Sequence, residues 1–173
     1  PGWIEPVINL MQQDSRIVAC QPKLRAYKQR DEFEYAGAAG GWMDILGYTF
    51  CRGRILYTVE KDHGQYDDVQ DIFWATGAAL FIKSSSFHEV GGFDRSFFAH
   101  MEEVDLCWRL KRAGYRICYC PDSVVYHVGG GSLPQGNPRK LYLNFRNNLM
   151  MLWKNLHSED RWIVLVQRFF LDI

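Results

Sequence analysis

The sequence lacks an excess of either charge: 20 Lys and Arg stand against 20 Asp and Glu. Non-specific affinity for a polyanion comes mainly from positive charge, so this balance argues against a nucleic-acid-binding role. It also lacks any C-x-x-C pair. Its five cysteines (Cys20, Cys51, Cys107, Cys118 and Cys120) are odd in number and irregular in spacing. That disfavours a disulfide framework or a structural zinc site and points to reduced thiols in a cytosolic setting. No apolar run approaches the roughly 18 residues of a spanning helix. No repeat, low-complexity tract or secretory leader pattern is visible. What is present is 47% hydrophobic and 23% charged residues over 173 positions, the composition of one globular domain or a large piece of one. Aromatics reach 15%, and such side chains fill cores and also line sugar and other ligand sites, so the count alone decides little. The opening Pro1-Gly2-Trp3, without Met, is read as the start of a piece of something longer.

The pattern along the chain alternates helix and strand, so the expected class is α/β or α+β. Residues 3–13 have helical spacing. Residues 17–20 read as a buried strand closed by Pro22. Residues 33–71, rich in glycine and aromatics, show no sustained period and read as a long loop. Residues 77–82 read as a buried strand of small residues. Ser86 to Glu89 has the S-x-x-E form of a capping box, and Gly91-Gly92 would stop that helix. Residues 102–113 form a helix in which Asp105 and Arg109 can pair, with Gly114 as its left-handed stop. Residues 115–119 and 124–128 read as strands either side of a Pro121-Asp122 turn. Asn137-Pro138 starts a helix to about Leu156, with Leu141, Phe145, Leu149 and Leu152 on its buried face. Residues 161–173 are strongly apolar, with Arg161, Arg168 and Asp172 on one narrow side.

Three groups could carry chemistry. Glu102, Glu103 and Asp105 stand within four residues at a helix start. Acids there complement the helix dipole, but adjacent like charges also raise a pKa, as a general base near neutral pH requires. Spacing alone leaves both readings open. His127 ends an apolar strand before Gly129-Gly130-Gly131-Ser132; it suits a hydrogen-bonded core residue or a metal ligand. The glycines suit a phosphate nest, although no Walker or dinucleotide pattern surrounds them. The acidic stretch Glu60, Asp62, His63, Asp67 and Asp68 matches no metal loop and reads as a solvated, mobile segment. Asp94 reads as a cap or turn residue.

Taken in order, Trp74-Ala-Thr-Gly-Ala-Ala-Leu-Phe-Ile-Lys83, Gly91-Gly-Phe-Asp-Arg-Ser-Phe-Phe98, Glu102-Glu-Val-Asp-Leu-Cys-Trp-Arg109, Gly114-Tyr115, Pro121 and His127-Val-Gly-Gly-Gly131 resemble glycosyltransferase family 2. This is the inverting family with the GT-A fold, including the bacterial rhamnosyltransferase-like members. The resemblance implies an α/β chain, a partial GT-A fold lacking the N-terminal donor-binding strands and the Asp-x-Asp metal motif. Residues 1–157 would be the acceptor and catalytic-base portion, and 158–173 an apolar helix, either core or membrane-interface. The implied activity is transfer of a sugar from a nucleotide-sugar donor to an acceptor hydroxyl in bacterial polysaccharide or cell-envelope glycan synthesis. Glu103 stands at the usual base position, with Glu102 as the alternative. Trp74, Thr76, Gly77 and Asp105 would border the acceptor, Asp105 alternatively pairing with Arg109. His127 would ligate a divalent metal, Mg or Mn, in the intact enzyme. Arg146, with Tyr142 and Asn147, resembles a pattern that follows the core and is assigned to the donor side.

The resemblance further implies a saccharide acceptor, lipid-linked in some cases, and no nucleic-acid partner. It implies a cytoplasmic location, with peripheral contact at the inner face of the plasma membrane if the tail is an anchor. A chain of this extent alone is expected to be inactive and to self-associate through an unpaired sheet edge. Two rivals from other classes are a non-catalytic interaction module of the same fold and a metal-dependent hydrolase built on His100, Glu102, Glu103, Asp105 and His127.

Overall fold

The computed structural model describes residues 2–129 and 137–173. In chain order, helix α1 (Glu5–Gln13) leads into the long strand β1 (Ile17–Ala26). Four short strands follow: β2 (Gly41–Met43), β3 (Thr49–Cys51), β4 (Arg54–Ile55) and β5 (Thr58–Val59). Then come β6 (Gln70–Asp71), β7 (Phe81–Ile82), α2 (Ser84–Glu89), α3 (Glu102–Arg112) and the second long strand, β8 (Arg116–His127). Two helices close the chain, α4 (Pro138–Asn155) and α5 (Ser158–Leu171).

The central sheet has the order β6-β8-β1-β7. Its spine is the parallel pair β1 and β8, and the two short strands run antiparallel on its flanks. Alternation along the spine assigns its faces. Cys118 and Cys120, with Ile17 and Cys20, face Val7 and Leu10 of α1. Ile117 and Tyr119 face the other way, onto Leu106, Cys107 and Leu110 of α3. All five cysteines are free and buried, so they pack as small apolar side chains.

Several expectations are corrected. β1 does not stop at Pro22, and β8 is one strand, not two. Pro22 lies opposite Cys120, and the register then jumps so that Lys23 meets Val124. The two strands' prolines, Pro22 and Pro121, fall at this irregularity, where a missing N–H costs the ladder little. Residues 33–71 are an ordered unit whose core is the antiparallel meander β2-β3-β4-β5, anchored by buried Phe33, Ala38, Ala39 and Cys51. Strands of two or three residues leave too little sequence to show a period. The expected strand over 77–82 shrinks to Phe81–Ile82, and Ser86 lies inside α2, which begins at Ser84 without a side-chain cap. No capping box forms; Glu89 instead accepts from the Tyr115 hydroxyl at 2.6 Å.

The acidic stretch is tied down. The Asp62 side chain is fully buried and pairs with Lys23 at 3.0 Å and with Arg25, while Asp68 pairs with Arg52. The side of β1 beyond β7 is also covered: Leu24 and Ala26 donate to the carbonyls of Ala38 and Glu32. On α4 the inward residues are Leu143, Asn147, Asn148, Met151, Leu152 and Asn155, whereas Leu141 and Phe145 are exposed. Asn137 does cap α4, accepting from the Arg139 N–H at 2.9 Å.

Candidate active site

The carboxyl ends of β1 and β8 lie side by side, with Ala26 opposite His127. In parallel α/β sheets ligands gather beyond this end of the strands. A cleft of about 670 Å³ opens there, between the His127 end of β8, the 74–78 corner, the start of α3 and the start of α4.

The 74–77 corner is built by close packing. Gly41 lets the Trp74 indole approach; a Cβ at 41 would sit 2.2 Å from the ring. Trp74 then donates through Nε1 to the Trp42 carbonyl at 2.9 Å. Buried Gln21 on β1 accepts from the Thr76 N–H and donates to the Gly37 carbonyl, both at 2.9 Å. Thr76 and Gly77 are thereby fixed on the cleft wall.

The start of α3 is held in a strained form. Phe98, His100 and Met101 have φ of 63°, 70° and 72°, in the left-handed region that costs a side-chain-bearing residue about 1–3 kcal/mol. The buried Asn147 amide of α4 fixes this turn, reaching the carbonyls of Phe97, Ala99 and His100 at 2.7–2.8 Å. Glu103 emerges from it into the cleft beside Gly77. Burial, and then the charge of Glu102, push its pKa from 4.5 up to about 7; hydrogen bonds from backbone N–H groups, Gly77 among them, oppose this only in part. One oxygen of each glutamate is buried without a partner among the described residues. Burial and the Lys140 charge hold His100 below its ordinary value. A half-neutral carboxyl near pH 7 in a cleft wall is what a general base requires.

His127 lines the same cleft. Its Nδ1 lies 3.4 Å from the buried Glu34, whose other oxygen accepts from the Ala36 N–H at 2.6 Å. Gly129 permits this, since a Cβ there would meet Glu34 at 2.7 Å. Nδ1 forms no hydrogen bond among the described residues. The imidazole can therefore offer one ligand to a cation. Among the described residues, however, no three His, Cys, Asp or Glu side chains converge on a metal position. These residues do not by themselves fit a complete metal site, and they do not support the hydrolase alternative.

Trp74, Thr76, Gly77, Glu103 and His127, distant in sequence, thus share one cleft. Glu102 stands beside it without lining it. Asp105 is elsewhere: fully buried, it pairs with Arg109 at 2.8 Å and Lys154 at 3.0 Å and accepts from Asn155 at 2.8 Å. All of its capacity is used in joining α3 to α4, so its place is structural. Arg146 donates to the Ser96 carbonyl and does not line the cleft. Lys140 and Asn144 do, one helical turn apart, together with Arg54. Tyr142 and Arg146 stand two positions along from these, and two residues on a helix is more than half a turn, so neither lines the cleft. Gly130, Gly131 and Ser132 lie outside the described residues.

No family model matches the chain. It is 44% identical over 134 residues, 73% of its length, to an N-acetylglucosaminyl-diphospho-decaprenol L-rhamnosyltransferase of Mycobacterium tuberculosis H37Rv, and that match takes in 42% of the relative. It is 38% identical over 79 residues to the rhamnosyltransferase WbbL of Escherichia coli K12, covering 46% of this chain and 29% of that one. The chain thus spans less than half the length of these curated relatives. Among solved structures, GalNAc-T7 with UDP, GalNAc and Mn2+ superposes with a TM-score of 0.60 at 15% identity, over 87% of this chain and 28% of that one. The shared fold is the GT-A type.

Proposed function

We propose that this chain, a glycosyltransferase family 2 sequence with a GT-A-type fold, carries the acceptor side and the general base of an inverting sugar-transfer site. The acceptor hydroxyl enters the cleft between the 74–77 corner and Glu103. Its oxygen attacks the anomeric carbon of a nucleotide sugar from the face opposite the diphosphate. As the new C–O bond forms, the bond to the diphosphate breaks, and the nucleoside diphosphate leaves with the electron pair. The acceptor proton passes to the Glu103 carboxylate. Placing the acceptor and the base together removes much of the entropic barrier. Proton removal in the transition state is worth on the order of 10²–10⁴ in rate.

The observation that carries this reading is Glu103 itself: a buried carboxylate with a raised pKa, set in the cleft wall by a strained turn. Arg54 and Lys140 supply positive charge in the same cleft, suited to a phosphorylated donor or acceptor. A divalent cation would neutralise charge on the leaving diphosphate; His127 is the described residue placed to contribute to its shell, and the remaining ligands would come from outside this chain. The names of the relatives favour a rhamnosyl or other hexosyl donor and a diphospho-lipid acceptor.

The test is Glu103→Gln in the full-length protein. Nucleotide-sugar binding by calorimetry should persist while turnover falls about 10²–10⁴-fold. Glu102→Gln should leave turnover within about tenfold of wild type, since Glu102 does not line the cleft. Unchanged turnover in the Glu103 variant would remove it from the base role.

A further inference from the structure

We propose that the outward face of α4 and α5 is a homodimer interface, on which a second copy of this chain sits antiparallel about a twofold axis. One buried group holds α5 with this face out. Arg168, 1% exposed, pairs with Asp172 at 2.9 Å, donates to the Leu46 carbonyl at 3.0 Å and to Asn148 of α4, and lies 3.9 Å from the Tyr48 ring centroid. Those contacts fix the rotation of the helix. Trp162, Ile163, Val166, Phe169, Phe170 and Ile173 are then each between 54% and 91% exposed. Apart from Ile163, at the flank, they follow the spacing of a single helical stripe. Trp153 of α4 joins it, its ring 5.4 Å from that of Trp162.

Size argues for a macromolecular partner. A whole aromatic side chain presents about 150–250 Å², so these exposed fractions amount to roughly 800–1,000 Å² of apolar surface. The largest apolar patch of an ordinary monomer is about 300–600 Å², and each partner in a stable interface buries about 800 Å². Charge then selects the partner. α4 and α5 run antiparallel, since Trp153 meets Trp162 near the connecting turn and Asn148 meets Arg168 further along. Exposed Glu159 and Asp160 therefore mark one end of the face, and exposed Arg139, one turn before Tyr142 on α4, marks the other. A patch that is apolar in the middle, acidic at one end and basic at the other is complementary to itself. A twofold rotation lays each acidic end on the basic end of the other copy. The same acids would repel an anionic surface. Pairing here leaves the cleft free, because Lys140 and Asn144 lie about half a turn from Tyr142, on the opposite side of α4. The dimer does not depend on the transferase reading.

Sedimentation velocity of the full-length protein, over a wide concentration series without lipid, tests it. Wild type should sediment as a dimer and dissociate on dilution. The double variant Val166→Glu/Phe170→Glu alters only exposed positions, so it should keep the wild-type circular-dichroism spectrum while its self-affinity falls about tenfold or more. Arg139→Glu and the pair Glu159→Arg/Asp160→Arg should each weaken the dimer several-fold. All three changes in one chain restore opposite charges across the axis and should recover most of that loss. Three results would overturn the proposal: full-length protein that stays monomeric throughout, a folded Val166→Glu/Phe170→Glu variant that dimerises as tightly as wild type, or a combined charge variant that is no tighter than its parents. The first would mean that the rest of the chain or another partner covers the face, and the second that copies meet elsewhere, as at the β7 edge.

Discussion

Glu103 holds a proton in the folded chain over a range where the unfolded chain has lost it. Its pKa is raised from 4.5 to about 7, chiefly by burial. Between those values the folded state binds more protons, so this group's contribution to stability falls as pH rises through the window. Glu103→Gln removes the penalty. The variant is expected to be more stable than wild type by on the order of 1–3 kcal/mol above pH 7 and no more stable at pH 4, as thermal melts at the two pH values will show. Wild-type turnover should fall below about pH 7 as the base takes up its proton. Asn147 is the second residue to probe. Asn147→Ala leaves three carbonyls of the strained turn without their donor, which is expected to cost about 1–3 kcal/mol and to lower turnover about tenfold or more, since the base is then no longer held at its angle. Denaturant titration and steady-state kinetics separate the two effects. The acidic pattern made Glu103 legible in the sequence; Asn147 was marked only as a companion of Arg146, and its hold on the turn was invisible because that turn lies 50 residues away.

At the scale of elements, the stretch between β1 and β6 shows what binds short pieces together. Asp62 sits between Lys23 and Arg25 with its side chain fully buried. Burial opposes its charge, but the hydrogen bonds from Lys23 and Arg25 outweigh it and hold its carboxyl below the ordinary range. Its stabilising contribution is complete at neutral pH and is lost as pH falls through that lowered value. Asp62→Asn leaves buried Lys23 with Asp67 as its remaining carboxylate partner and is expected to cost about 1–3 kcal/mol in urea titrations at pH 7, a difference that narrows in acid. The sequence showed this stretch only as acidic and aperiodic, because strands of two residues have no period and the counter-charges lie on β1. α3, with its heptad-like Leu106 and Leu110 and its Gly114 stop, was legible because one helix shows its own face. α4 was legible in extent and misleading in face: polar Asn147, Asn148 and Asn155 point inward to bond backbone and side chains, while Leu141 and Phe145 face out. α5 repeats that inversion through Arg168.

For the whole molecule, the cleft joins described residues from six separated stretches, 35–36, 49–54, 74–78, 100–103, 127–128 and 140–144. The chain spans 42% of the length of a curated rhamnosyltransferase relative, and its described residues do not complete a metal site. On the proposed transferase reading, a chain of this extent is expected to transfer no sugar by itself, and a radiolabelled nucleotide-sugar assay checks this. The fold class, the long helices, the buried thiols and the acidic helix start were all determined by the sequence itself, because composition, spacing and local charge act between near neighbours. Only the tertiary structure decided that Asp105 is structural while Glu103 faces the cleft, that Lys140 and Asn144 replace Arg146 there, and that α5 turns Arg168 inward. Those outcomes depend on which distant group satisfies each buried polar atom, and a partner brought close by folding leaves no trace in local spacing.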